Sequence, residues 1–133
     1  MMNNRYDALR RELDNKFNMW GRYYSVLTKV TGHANANTEI YITVAATAVT
    51  IDFWSYNTRV MTAYVPNVDH KECECKDPYI RINGLYSATT RKHIGWWVEW
   101  LKHMGIVPYN WNYYTMKQAY MDRDGKDYGV IYF

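Results

Sequence analysis

The chain has 133 residues and a mass of 15.9 kDa, which suits one domain over residues 1–133 and leaves too little core for two. Aromatic residues make up 17%, charged residues 22%, and the formal net charge is +3; Leu, Ile, Val and Phe number only 26, so Tyr and Trp must supply much of the burial, while the low net charge argues against disorder. No apolar run approaches the roughly 20 residues of a membrane span, and the start has no apolar signal-peptide region, so a cytoplasmic protein without membrane attachment is expected.

The first element is a helix. Tyr6, Leu9, Leu13, Phe17 and Trp20 recur at steps of three and four, with Arg11, Asp14 and Asn15 opposite. Asn3 or Asn4 can cap its start and Gly21 is placed to end it. Residues 22–30 alternate imperfectly and suit a strand, and 31–38 read as a loop from their Gly and Asn content. Ile40, Ile42 and Val44 then alternate on even positions, and Val49, Ile51 and Phe53 on odd ones. Both stretches are strands by their β-branched alternation. The change of parity at Ala45-Ala46-Thr47 requires a bulge or a turn between them.

Ser55-Tyr56-Asn57-Thr58 reads as a turn, with Asn57 suited to a left-handed conformation, and Val60–Val65 as the returning strand, ended by Pro66 and Asn67. Tyr79–Asn83 is a further short strand, stopped at Gly84. A second helix follows, with Ser87, Thr89 or Thr90 as its cap, ending near Lys102 or His103 before Gly105. Ile94, Trp97, Val98, Leu101 and Met104 form its buried stripe, with His93 and Trp100 at the edge. Residues 115–121 fit either a strand or a short helix. Asp124-Gly125 suits a hairpin turn before a last strand over 130–133. The expected fold is therefore α+β: a mostly antiparallel sheet of about five strands with two main helices on one face.

Chemistry is sparse. Gly-rich phosphate loops, Gly-x-Ser-x-Gly, HExxH and Cys-x-x-Cys patterns are all missing. No catalytic residue is nominated, and no cofactor is expected. His93 and His103 project about 80° apart on their helix. Asp52 either faces solvent or is a buried acid with a raised pKa. The first is favoured, because buried Asp is rare unless paired. His70, Cys73 and Cys75 share one acidic loop. Two thiols so close in sequence are poorly placed for a disulfide, and three ligands fall short of a closed zinc site, so no metal is assigned.

The aromatic distribution is the informative feature. Trp96 projects outside the buried stripe, among Lys92, Glu99 and His103, and the chain after Pro108 carries six Tyr, one Trp and one Phe. Either the tail folds across the helix and covers Trp96, or these rings meet a partner. The partner reading names Trp96, Trp100, Trp111, Tyr113 and Tyr114. A nucleic-acid reading uses Arg59, Arg81, Arg91 and Lys92 beside aromatic rings. It lacks the dense basic clustering of a dedicated phosphate binder.

Phe53-Trp-Ser-Tyr-Asn-Thr58 followed by Leu85-Tyr-Ser-Ala-Thr-Thr-Arg-Lys-His93 resembles small proteins of unknown function from bacteriophages and mobile elements. In those, a Ser-Tyr-x-Thr turn joins two strands, and a Tyr-Ser-x-Thr-Thr-x-Lys-His segment opens a helix. The likeness covers residues 48–104 and departs at the Cys73/Cys75 loop and the Trp96-Trp97 pair. It implies no activity. Small phage accessory proteins often bind host machinery, so the expectation is a non-catalytic inhibitor of a host protein or ribonucleoprotein complex. A defence nuclease would make it an anti-CRISPR-like protein acting in the host cytoplasm. A nucleic-acid-binding module is the alternative.

Overall fold

The computed structural model describes residues 5–17, 23–27, 38–73, 75–121 and 129–133. The elements run in the order α1 (Arg5–Phe17), β1 (Tyr23–Leu27), β2 (Thr38–Val44), β3 (Ala48–Ser55), β4 (Thr58–Pro66), β5 (Tyr79–Ile82), α2 (Ala88–His103), α3 (Tyr113–Met121) and β6 (Val130–Tyr132). The arrangement is α+β, as expected: each of the six segments read as strands contributes one to the sheet, and a third, short helix joins the two main ones. Residues 113–121 are helical, which settles the ambiguous tail segment. The proposed caps Asn3 and Asn4, the stop at Gly21, Trp20 and the Asp124-Gly125 turn lie outside the described residues.

The six strands form one sheet in sequence order, each antiparallel to the next. Val44 pairs with Val49, Ile42 with Ile51 and Ile40 with Phe53. Ala48 has no partner on β2, so four residues lie between the paired Val44 and Val49. An even number between antiparallel partners pairs even positions with odd ones, and the parity change at 45–47 is the turn itself. The bulge falls one hairpin later. Phe53 pairs with Met61 but Trp54 with Arg59, and Val60 is the extra residue. It turns inward with Met61, and both are fully buried. In the turn between β3 and β4 the positive φ belongs to Tyr56, at 54°, and not to Asn57.

Alternation then separates two faces. Ile40, Ile42, Val49, Ile51, Phe53, Met61, Ala63, Val65, Ile80 and Ile82 are buried on one of them. They share a single apolar cluster with Tyr6, Leu9 and Leu13 of α1, Ile94, Trp97, Val98 and Leu101 of α2, and Met116 of α3. The Phe53 ring lies 5.4 Å from that of Trp97 and 6.1 Å from that of Trp100. Full burial of a side chain such as Phe53 is worth about 1.5–3 kcal/mol. The Tyr6 hydroxyl donates to the Ala45 carbonyl at 2.6 Å, fixing α1 to the first hairpin.

The tail does fold back on the molecule. Tyr113 Cβ stands 3.9 Å from where a Cβ on Gly95 would be, so α3 approaches α2 closely there. Trp111 meets Phe133 edge to face at 5.8 Å, and the Phe133 amide donates to the Pro78 carbonyl. No helix among the described residues is long and apolar enough to cross a membrane.

Candidate functional site

The second face of the sheet carries the site. Its residues are those between the buried ones, and cross-strand register sets them in three rows. One row runs Thr43, Thr50, Tyr64, Tyr79, Tyr132. The next runs Tyr41, Asp52, Thr62, Arg81, Val130. The third is Glu39, Trp54, Arg59. Each of these side chains is half-buried or exposed, and none belongs to the core cluster.

The rings in these rows contact one another. Tyr64 stacks on Tyr79 at 4.9 Å with 27° between planes, and Tyr79 meets Tyr132 at 6.1 Å and 67°. The Arg81 guanidinium lies 5.9 Å from the Tyr79 ring centre, within cation–π range. Tyr64 is anchored further, its hydroxyl donating to the Cys75 carbonyl at 2.8 Å. Burial first, and then the Cys73 thiol, push its phenol above the ordinary range and keep it neutral. The Cys73/Cys75 loop is therefore packed beside the tyrosine row. Both cysteines are free, Cys73 buried and Cys75 exposed. His70 accepts the Glu72 amide on Nδ1. Among the described residues no His/Cys/Asp/Glu group is arranged to hold a metal ion.

At the other side of the face Tyr41 meets Trp54 edge to face, at 6.1 Å and 74°. The Tyr41 hydroxyl donates to the Glu39 carboxylate. Thr62 Oγ1 donates to Asp52 Oδ1 at 2.8 Å, so Asp52 occupies the polar face, as the favoured sequence reading held. Glu39, Tyr41, Asp52, Trp54, Tyr56 and Asn57 line a shallow cleft of about 390 Å³.

The residues first nominated for partner contact are dispersed. Trp100 is 5% exposed and packs on Phe53. It is a core residue, and its nomination gives way, because the edge of the α2 stripe is as deeply buried as its centre. Trp96 is half-buried with its ring 5.2 Å from His93. Trp111 and Tyr113 are half-buried against the core, while Tyr114 is 71% exposed. The four nucleic-acid candidates divide in two. Arg59 and Arg81 stand on the open face, and Arg91 and Lys92 are exposed in the first turn of α2.

Two features escaped the sequence reading. The open aromatic face is one. Its signal was present, since Tyr41, Trp54, Tyr64 and Tyr79 all fall between or beside inward residues of strands. The other is a buried hydrogen bond of 2.7 Å between Ser55 Oγ and His93 Nδ1. Ser55 and His93 are 3% and 2% exposed, which makes the pair a link from the β3–β4 turn to α2. Burial, and secondarily the Lys92 charge, lower the His93 pKa below 6.5.

No protein-family model matches the chain, and neither a curated protein nor a solved structure does. The fold and the face together define its class: an α+β domain whose antiparallel meander is covered by helix side chains on one side and presents aligned rings on the other.

Proposed function

We propose that this chain is a non-catalytic binding protein that docks another protein through the open face of its sheet. The observation that supports this best is the cross-strand row of Tyr64, Tyr79 and Tyr132. These rings contact one another on adjacent strands outside the core, so little conformational freedom remains to be lost on binding. Tyr, Trp and Arg are the side chains that dominate binding hot spots, and all three types occur together here. The test compares Tyr79→Ser/Tyr132→Ser with wild type in capture of a partner from the natural host, with circular dichroism confirming the fold. Loss of capture is expected. Undiminished capture by the folded variant would remove the face from consideration, and loss on Trp96→Ala instead would move the interface to α2.

The narrower reading, a phage-type accessory protein that inhibits a host complex such as a CRISPR nuclease, draws its support from the sequence resemblance. It is tested by adding the purified protein to the host effector and measuring target cleavage. Cleavage that proceeds at the same rate would eliminate it.

A nucleic-acid reading has one observation in its favour, the placement of Arg59 and Arg81 beside Trp54 and Tyr79. Against it, Glu39 and Asp52 share the same rows, and the loop over 67–77 carries four carboxylates against two lysines. That reading predicts a complex whose affinity falls steeply with salt and drops on combined Arg59→Ala and Arg81→Ala. A gel shift without complex at low salt would dismiss it.

A further inference from the structure

We propose that the cleft between Tyr41 and Trp54 receives an arginine side chain from the docking protein, an inference that rests on the docking reading above and names the partner's chemistry. Two carboxylates border the cleft, Glu39 from β2 and Asp52 from β3. Each already accepts one hydroxyl, from Tyr41 and Thr62 respectively. A carboxylate offers about four acceptor positions, so both retain capacity for a donor from outside. Among the described residues neither is ion-paired, Lys102–Glu99 being the pair found there. Arg59 pairs with Trp54 across the strands without reaching either carboxylate.

The rings complete the complementarity. Trp54 and Tyr41 stand edge to face, and Tyr56 rises at the rim, 58% exposed and held at a positive φ of 54°. Aromatic faces attract cations, indole most strongly. An anionic visitor would meet two like charges, and a neutral one would leave both carboxylates uncompensated. A guanidinium answers both features, since its plane stacks on an indole while its fork of donors reaches a carboxylate. A cleft of about 390 Å³ accommodates that group with part of its stem.

The test uses the whole chain labelled at its tryptophan indoles, with the Trp54 resonance assigned through Trp54→Phe. N-acetyl-arginine amide is titrated as the probe, with N-acetyl-citrulline amide, of the same shape without charge, and N-acetyl-lysine amide alongside. Arginine is expected to move the Trp54 resonance saturably, more strongly than lysine, and citrulline to leave it in place. Asp52→Asn keeps an oxygen for Thr62 and is expected to weaken arginine about fivefold, the scale of one exposed ion pair. An unmoved Trp54 resonance, or an equal response to citrulline, would overturn the proposal. An equal response to lysine would overturn the guanidinium assignment. If Trp54 stays silent while Tyr79→Ser/Tyr132→Ser still abolishes partner capture, the docking reading survives and this one fails. If Trp54 responds and capture is indifferent to the tyrosines, the cleft binds a guanidinium but the docking reading fails, and with it the assignment of that arginine to a docking protein.

Discussion

His93 shows how one buried group makes the fold sensitive to pH. The folded imidazole is held below its ordinary value of 6.5 by burial and by the neighbouring Lys92 charge. Below 6.5 the unfolded chain takes up a proton that the folded chain refuses. This contribution is therefore fully present above pH 6.5 and declines as pH falls from there towards the lowered folded-state value. The slope is at most about 1.4 kcal/mol per pH unit for one proton. His93→Gln keeps a polar group opposite Ser55 and removes the ionisation. Its denaturant midpoint is expected to be flatter over that window, and a slope equal to that of wild type would assign the pH dependence elsewhere. Two glycines separate backbone strain from collision. Gly105 and Gly129 have nearly the same φ, 71° and 70°. A Cβ at Gly105 meets nothing within 4 Å, whereas one at Gly129 falls 2.4 Å from the Ile82 carbonyl oxygen. Gly105→Ala is expected to cost about 1 kcal/mol from conformation alone. Gly129→Ala should cost more, because that oxygen belongs to β5 backbone and the β5–β6 pairing must shift to admit the methyl. Equal melting temperatures for the two variants would contradict this.

Helix ends decide how the elements attach. Ser87 is extended, with φ −101° and ψ 172°, and its Oγ accepts the Thr90 amide at 3.2 Å, so of the three caps the sequence offered, Ser87, Thr89 and Thr90, the first is the one used. Ser87→Ala is expected to lower stability by about 1 kcal/mol, read from denaturant midpoints. The start of α3 is built the same way. Asn112 Oδ1 accepts the amides of Tyr114 and Thr115, and Thr115 Oγ1 accepts the amide of Asn112. Periodicity left residues 115–121 open between strand and helix, because Met116 alone is buried in α3 and one inward residue fixes no period. The cap at Asn112 carried the missing information. The α2 stripe was legible from spacing, since Ile94, Trp97, Val98, Leu101 and Met104 all point into one cluster. Trp100 was misjudged because angular projection places it at the stripe's edge, while the bulk of Phe53 extends the apolar contact out to it.

Across the molecule the sheet does two jobs with alternate residues of the same strands. Its inward alternation was readable along each strand separately. The outward rows were not, because they exist only once register is fixed, and here register depends on the turn at 45–47, a two-residue turn and a bulge at Val60. Slipping β4 by one position would remove Tyr64 from Tyr79 and reverse every face beyond it. Neighbouring residues of β3 give the sharpest test of this division. Phe53 is fully buried between Trp97 and Trp100, whereas Trp54 is half-buried beside Tyr41 on the open face. Phe53→Ala removes core volume and is expected to cost about 3–5 kcal/mol. Trp54→Thr puts a β-branched residue of good strand propensity in its place, loses one cross-strand aromatic contact, and is expected to cost under about 1 kcal/mol. Denaturant unfolding of both variants measures the difference. If Trp54→Thr proves as damaging as Phe53→Ala, the outer rings are structural cladding and the docking face loses its physical basis. A large gap means that the outer rings add little to holding the fold, which leaves them free to be shaped by a partner.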